Sequence, residues 1–583
     1  MLSWHDRPRP LAFRQVMEGR PVAAQGSRLF LMPAEIHDDI FGYLDDDKDD
    51  LAALALVNSD CRQIARSYQF RAVTFNGSLQ CDKGILALLQ REAIERRQDR
   101  GDYGRTRKPS LGVCIRRVTA GEGGLNKWMN ANRPGRQATP AEHRRWWSRL
   151  PLVIGYLNRV YRPAVLSVVA SLPHLDAART LRSSRAGGLV LDEHLLNSLT
   201  GSTLRTLELR VTMAPRCPQV VHGVSWPLEA LDLRLEWDHH EHYTPGRRGL
   251  DASAYCDSIL RLCCAALERL RICLPPPPPT SPGISPDRPA FFFLQFPRLR
   301  RLDVLDAGNL HPLSLRSLLT TSRRLEALSV DCTLWHVQRF LGANVGPDTM
   351  PALEVLITRY QAGGQRQPPV PVPVPPHHGR GAAAAAAGRR KVTRLPGGVL
   401  ERLVAVASRC PGLRRLSMTF EDAYIPGAQL EALAGLGGQG SGGDPGGGGL
   451  QLLEELHLGA GPEGAPRAPR WLVDHGEVRR ALSGAWARGL KRLVLTGDAY
   501  KRGDGGGGAA PRYCKHDDGG VSAEHRRLMR AEALEYARAL PRLELVYIGI
   551  MSFMVIRDEG DGGDGEAWVL GEEDDGFDPV EDW

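Results

Sequence analysis

Two histidines, His240 and His242, alternate within the stretch WDHHEHY at 237–243. On a strand they would share one face, as two imidazoles binding one zinc ion must. Zinc sites need at least three protein ligands, and no cysteine or carboxylate stands at a spacing that completes the set. A solvated loop is the better reading. Gly435, Gly437 and Gly440 follow G-x-G-x-x-G. That pattern lets backbone amides approach a pyrophosphate only where it joins a strand to a helix, and here it follows a helical stretch inside a Gly-rich segment. Gly560, Gly562 and Gly565 repeat the spacing, but EAWV and an acidic tail come next, which fits a hairpin turn. No phosphate-binding G-x-x-x-x-G-K-[ST] and no H-E-x-x-H occurs. The carboxylates Glu572–Asp575 lack the alternation of a calcium loop. The residues therefore predict no catalytic constellation, no metal and no cofactor.

Composition narrows the class further. The chain has 583 residues, 42% hydrophobic and 24% charged, which suits a globular protein of several domains or one long repeat array. Its net charge of +8 conceals an asymmetry: twelve acids and no Lys or Arg follow residue 557, leaving the body at +20. A basic body can signal nucleic acid. Only eight of the 75 basic residues are Lys, however, and the Ala, Gly and Pro runs point the same way, to a GC-rich coding bias. Nucleic acid is thus not the expected partner. Eleven scattered cysteines with no C-x-x-C argue against a disulfide framework. The start lacks a signal-peptide core, and the apolar run 543–556 is too short to span a bilayer. The expected compartment is the cytoplasm or nucleus, with no membrane association.

The elements that must do the positioning begin at residue 29, after a loose leader (1–28). Pro33 suits the first turn of a helix, and Ile36, Ile40, Tyr43 and Leu44 then fall on one face. DDDKDD interrupts the pattern, and Asp50 is placed to cap a second helix from Leu51 to Val57, apolar nearly all round. Ser59 is placed to cap a third, carrying Cys61, Ile64 and Ala65. Three short helices with surplus apolar surface describe a docking module. The positions Met32, Pro33, Glu35, Ile36, then Ile40, Phe41, Tyr43, Leu44, then Asp50, Leu51, Leu54, Val57, Cys61 and Arg62 resemble the F-box. Met32 replaces its leading Leu, and Tyr68 and Phe70 stand in for its closing aromatic. The segments FRAVTF (70–75) and SLGVCIRRVTA (110–120) further resemble filamentous-fungal F-box proteins with leucine-rich repeats. The resemblance implies docking on the Skp-type adaptor of a cullin-RING ubiquitin ligase through Met32, Pro33, Ile36, Ile40, Leu44, Leu51, Leu54 and Val57.

Beyond a connecting α/β segment (72–200), with Trp146 and Trp147 as expected core anchors, the chain repeats. Leu-x-x-Leu-x-apolar recurs at 204, 228, 267, 299, 325, 413, 453 and 490, with weaker copies at 353 and 543. The fourth and sixth residues share one face of a strand, the signature of a leucine-rich repeat. Helical patterns precede several copies, and Pro often separates helix from strand, as in FPRL, MPAL, CPGL and LPRL. The copies lack the Asn that usually ladders hydrogen bonds at the turn. Four segments, 275–290, 361–396, 435–449 and 500–520, are Pro-, Ala- or Gly-rich and read as disordered insertions. The expected fold is therefore α/β: a three-helix F-box (29–71), an irregular leucine-rich-repeat solenoid (201–556) and an acidic tail (557–583). The expected function is a non-catalytic substrate receptor that holds an unidentified protein target. A repeat scaffold without ubiquitin transfer is the alternative, and nucleic-acid binding the lesser one.

Overall fold

The computed structural model describes residues 11, 13–17, 28–44, 47–75, 79–98, 110–120, 139–180, 189–190, 193–212, 225–236, 252–274, 294–305, 312–332, 341–361, 393–421, 423–425, 427–437, 450, 452–460, 475–496, 523–549, 551–557 and 567–571. They form two compact units, Met1–Leu294 and Gln295–Trp583. Both are α/β with mostly parallel strands.

The first unit carries β1 (Ala72–Phe75), β2 (Arg117–Ala120), β3 (Ala177–Thr180), β4 (Leu189–Val190), β5 (Thr206–Thr212), β6 (Ala230–Glu236) and β7 (Arg269–Cys273). Strands β1, β2, β3, β5, β6 and β7 pair in that order, all parallel, and β4 lies beside the end of β5. Parallel neighbours need a long return connection. Helices Leu79–Gln98, Pro140–Tyr156, Arg162–Val169, Glu193–Thr200 and Ala252–Cys263 lie in those connections.

The second unit carries β8 (Arg301–Leu305), β9 (Ala327–Cys332), β10 (Val355–Gln361), β11 (Thr393–Arg394), β12 (Arg415–Glu421), β13 (Ala423–Tyr424), β14 (Glu455–Ala460), β15 (Arg492–Thr496), β16 (Leu545–Gly549), β17 (Met551–Arg557) and β18 (Ala567–Gly571). From β8 to β16 the main strands are parallel; β11 and β13 form a separate pair. β17 and β18 then turn antiparallel. The Arg557 guanidinium, on the last residue of β17, donates to the carbonyls of Ala537, Leu540 and Leu543 and so ties this hairpin to the end of the preceding helix.

All ten hexamers become strands, and in each the strand begins at the third residue. Their fourth residues align across neighbours: Leu207, Leu231 and Leu270 in one unit, and Leu302, Leu328, Leu356, Leu416, Leu456, Leu493 and Val546 in the other. Every one of these side chains is buried, as are the first-position leucines from Leu204 to Leu543. The two weaker copies, at 353 and 543, hold the same register as the rest.

Backbone bonds link the copies where each strand begins. At the described steps within each unit the second-position carbonyl accepts both the second and third amides of the next copy. Arg205 O takes the amides of Glu229 and Ala230, and Glu229 O those of Glu268 and Arg269. The pattern runs on from Arg300 O through Glu326, Glu354, Arg414, Glu454 and Lys491 O, with N···O distances of 2.7–3.1 Å. These bonds join copy to copy whatever the side chain.

The same bonds begin much earlier than residue 201. Arg71 O accepts from Arg116 and Arg117, Arg116 O from Asp176 and Ala177, and Asp176 O from Arg205 and Thr206. The expected connecting segment 72–200 thus shares the bonding pattern that links the hexamer copies. Trp146 is buried in it as expected. The leader also differs from expectation, because Phe13–Val16 is helical and Leu11 and Val16 pack with Val113 and Cys114. Parts of two expected insertions are built as well. Within 361–396, Gln361 ends β10, Thr393–Arg394 is β11 and Leu395 is buried; within 435–449, Leu436 is buried in the 3-10 helix Glu431–Gly437. The acidic tail supplies β18. Residues 275–290 and 500–520 lie outside the described residues. So do Gly560, Gly562 and Gly565.

Candidate docking surface

The N-terminal module is three helices, Ala34–Gly42, Lys48–Val57 and Ser59–Gln69. Pro33 sits one residue before the first, at its N-cap, and its carbonyl accepts the amides of Ile36 and His37. Asp47, not Asp50, caps the second helix, accepting from the amides of Asp49 (2.8 Å) and Asp50 (3.0 Å). Asn58, not Ser59, caps the third, accepting from the amide of Cys61 at 2.8 Å. Both caps fall a little upstream because an N-cap side chain serves the second or third amide of its helix.

The module has a core of its own. Phe30, Phe41, Leu51, Cys61, Ile64, Ala65 and Tyr68 are buried together, with Leu29, Leu44, Leu54 and Ala55 packed around them. The rings of Phe41 and Tyr68 stand 6.3 Å apart, and the Arg71 guanidinium lies 5.9 Å over Tyr68. Arg62 Nε donates to Ala55 O at 3.1 Å, tying the third helix to the second.

What the core leaves out is the site. Ile36 is 42% exposed, and Ile40, one turn on, 37%. Met32 and Val57 are exposed too, as is Pro33. Three residues outside the expected set join them: Leu31, Tyr43 at 89% and Leu56 at 81%. Leu56 was visible as part of an all-round apolar helix; which of its faces would turn outward was not. Leu51, by contrast, is 2% exposed and belongs to the core, and Leu44 and Leu54 are half-buried against it. Exposed carboxylates at Asp39, Asp47, Asp49 and Asp50 surround the apolar residues in sequence. Apolar anchors with a charged surround form the usual anatomy of a binding patch.

The third helix also fixes the module to the strands. Buried Gln63 donates from Nε2 to Ser110 O (3.0 Å), Val16 O (3.3 Å) and Cys114 Sγ (3.4 Å). Just beyond, the Glu92 carboxylate accepts the amides of Leu111 and Gly112, both at 2.9 Å, holding the turn that leads into β2. The module and the first strands are therefore one body.

Among the described residues no group of three or more His, Cys, Asp or Glu is arranged to hold a metal ion. His240 and His242 lie outside them. No described helix is long and apolar enough to cross a membrane. The chain matches no known protein family, and no curated protein is similar to it.

Proposed function

We propose that this chain is the substrate-recognition subunit of a cullin-RING ubiquitin ligase. Its N-terminal module acts as an F-box on the Skp-type adaptor, and its leucine-rich repeats carry the protein target in the cytoplasm or nucleus. The observation that carries this reading is the division of labour inside the module. Phe41, Leu51, Cys61 and Tyr68 complete a core, yet Met32, Ile36, Ile40 and Val57, all at F-box positions, remain uncovered. A helical cap that served only its own repeats would turn that surface inward. The chain performs no chemistry of its own in this role. It raises the effective concentration of the target beside the ubiquitin-charged partner, and the Gln63 bonds hold the module to Val16, Ser110 and Cys114 of its own unit.

The test is co-precipitation from cells of the adaptor and of repeat-bound proteins, followed by ubiquitin transfer on the captured complex. Wild type is expected to bring down both, and Pro33→Ala with Ile36→Ala to lose the adaptor and keep the target. A wild-type chain that never captures the adaptor contradicts the proposal.

A further inference from the structure

Strand side chains at hexamer positions four and six point into the core, so positions three, five and seven share the opposite face. In the first unit that face holds Arg117, Arg179, Arg210, Arg234, Arg269 and Arg271. The acids on it among the described residues are Glu208 and Asp232, with Glu236 at the end of β6. They occupy part of the cationic charge. Arg234 grips Asp232 with two bonds of 3.2 Å, Arg179 lies 3.3 Å from Glu208, and Arg271 lies 3.7 Å from Asp232. Cations still outnumber acids two to one.

The register adds a second observation. Arg210 stands directly opposite Arg234 on adjacent parallel strands. Like charges so placed repel, and neither strand gains from the pairing in isolation. Burial, and then Arg234, hold the Arg210 guanidinium below its ordinary pKa, with Glu208, Glu236 and Asp232 acting the other way; against burial, the bonds and charge of Asp232, with Glu208, hold Arg234 above its own. An anionic group set between the two forks would relieve the repulsion and accept charge-assisted bonds from both.

We propose that the strand face of the first unit, centred on Arg210 and Arg234, binds an anionic segment of a partner protein, its side chains carboxylates or phosphates. This rests on the receptor reading and gives the target a chemistry. A protein segment is favoured over nucleic acid for two reasons. No aromatic side chain on this face offers a base a stacking platform among the described residues. The interleaved acids would also meet a continuous phosphodiester backbone, whereas a peptide can space its charges around them.

The experiment is fluorescence anisotropy on the full chain at low salt. Its probes are a Glu/Gly peptide, a phosphoserine/Gly peptide, a neutral Ser/Gly peptide and single-stranded RNA. At least one anionic peptide should bind, the neutral one should not, and the tighter of the two anionic probes identifies the group. Arg210→Gln with Arg234→Gln should weaken binding by about 10-fold or more, the ordinary worth of a lost charge-assisted bond. Arg269→Gln with Arg271→Gln leaves the Arg234–Asp232 pair intact and should weaken it by about 3- to 10-fold. Arg415→Gln in the second unit should change nothing. Equal binding of the neutral peptide, unchanged affinity in both double variants, or RNA binding tighter than either peptide would overturn the proposal. Adaptor capture is measured on the same preparations. For the wild-type chain, no binding of either anionic peptide with adaptor capture intact counts against this face alone, and anionic-peptide binding without adaptor capture counts against the receptor reading alone.

Discussion

The two units are built on one hexamer and one register, yet they present different strand faces. In the first, arginines are in excess and Arg210 confronts Arg234. In the second, each arginine at the corresponding positions is paired: Arg301 with Asp303, Arg359 with Asp331, and Arg415 and Arg492 both with Glu455. Between those pairs run uncharged groups. Ser417 Oγ meets His457 Nδ1 at 2.9 Å, and His457 Nε2 meets Thr496 Oγ1 at 2.6 Å, one hydrogen-bonded row across β12, β14 and β15. Ser417, His457 and Val494 are all buried. The leucine positions specify how a strand is made and where it pairs. The positions between them decide what the face does, and they can differ from copy to copy because the backbone carbonyl ladder links the described neighbours whatever those side chains are.

The largest effect should come from breaking what the units share. Leu416→Ala at the fourth position of β12, fully buried in the middle of its ladder, should cost about 2–5 kcal/mol. The equivalent Leu231→Ala in the first unit should cost as much, because the role is the same. Denaturant unfolding checks both. A loss under about 1 kcal/mol at either site would show that the two ladders are not equivalent.

Next is the pH response, which should separate the units. Burial, and secondarily Arg359, push the His457 imidazole down from 6.5 to about 4. The folded state thus prefers the neutral ring. Its contribution is complete above pH 6.5 and is lost as pH falls toward 4, because the unfolded chain binds the proton first. The loss amounts to roughly 3 kcal/mol across that window. The urea midpoint of the second unit should fall between pH 7 and pH 5, and His457→Gln should flatten that dependence. An equal pH slope in the variant would contradict the assignment.

Gly459 sharpens the same contrast. A Cβ there would meet Thr419 Cγ2 at 2.7 Å and Thr496 Oγ1 at 2.9 Å, so the row around His457 is packed to its limit. Gly459→Ala should cost about 1–3 kcal/mol, and Thr419→Ser in the same chain should recover part of it. Both are read from thermal midpoints; no recovery would mean that the clash lies elsewhere.

The smallest effect belongs to the ion pairs at the strand entrances. Arg205–Glu229 at 3.3 Å in the first unit and Lys491–Glu454 at 3.6 Å in the second are both well exposed. Lys491→Met and Arg205→Met should each shift stability by less than about 1 kcal/mol. A larger shift would make these side chains, and not the carbonyls beneath them, the link between copies.

How much of this was legible depended on whether a signal was local. The ten hexamers announced their strands because leucine at positions one and four is a pattern in a single stretch of chain. IRRVTA at 115 and LDAART at 175 follow the same plan with Ile, Val and Ala at three of their four Leu positions, so the leucine pattern does not mark them as copies. Leu51 lay on an apolar helix with no marker of inside or outside. Only its packing with Phe41 and Tyr68 decides that it is core while Leu56 is surface. The burial of Val16 under Val113, and the reach of Gln63 to Ser110, join residues about fifty or more apart in sequence, where periodicity carries no information. The exposed apolar pair Ile36 and Ile40 was readable because one helical face repeats every turn. The arginine face was not, since each Arg gains meaning only from its neighbour on the next strand.

On the proposed reading, Met32, Ile36, Ile40 and Val57 stay uncovered because an adaptor covers them. A titration of purified Skp-type adaptor against the full chain tests it most directly. Pro33→Ala with Ile36→Ala should weaken binding by about 2–4 kcal/mol, or roughly 30- to 1000-fold in Kd, with the thermal midpoint unchanged because both residues are exposed. Equal affinity in the wild type and the double variant, or no measurable binding by the wild type, would contradict the account.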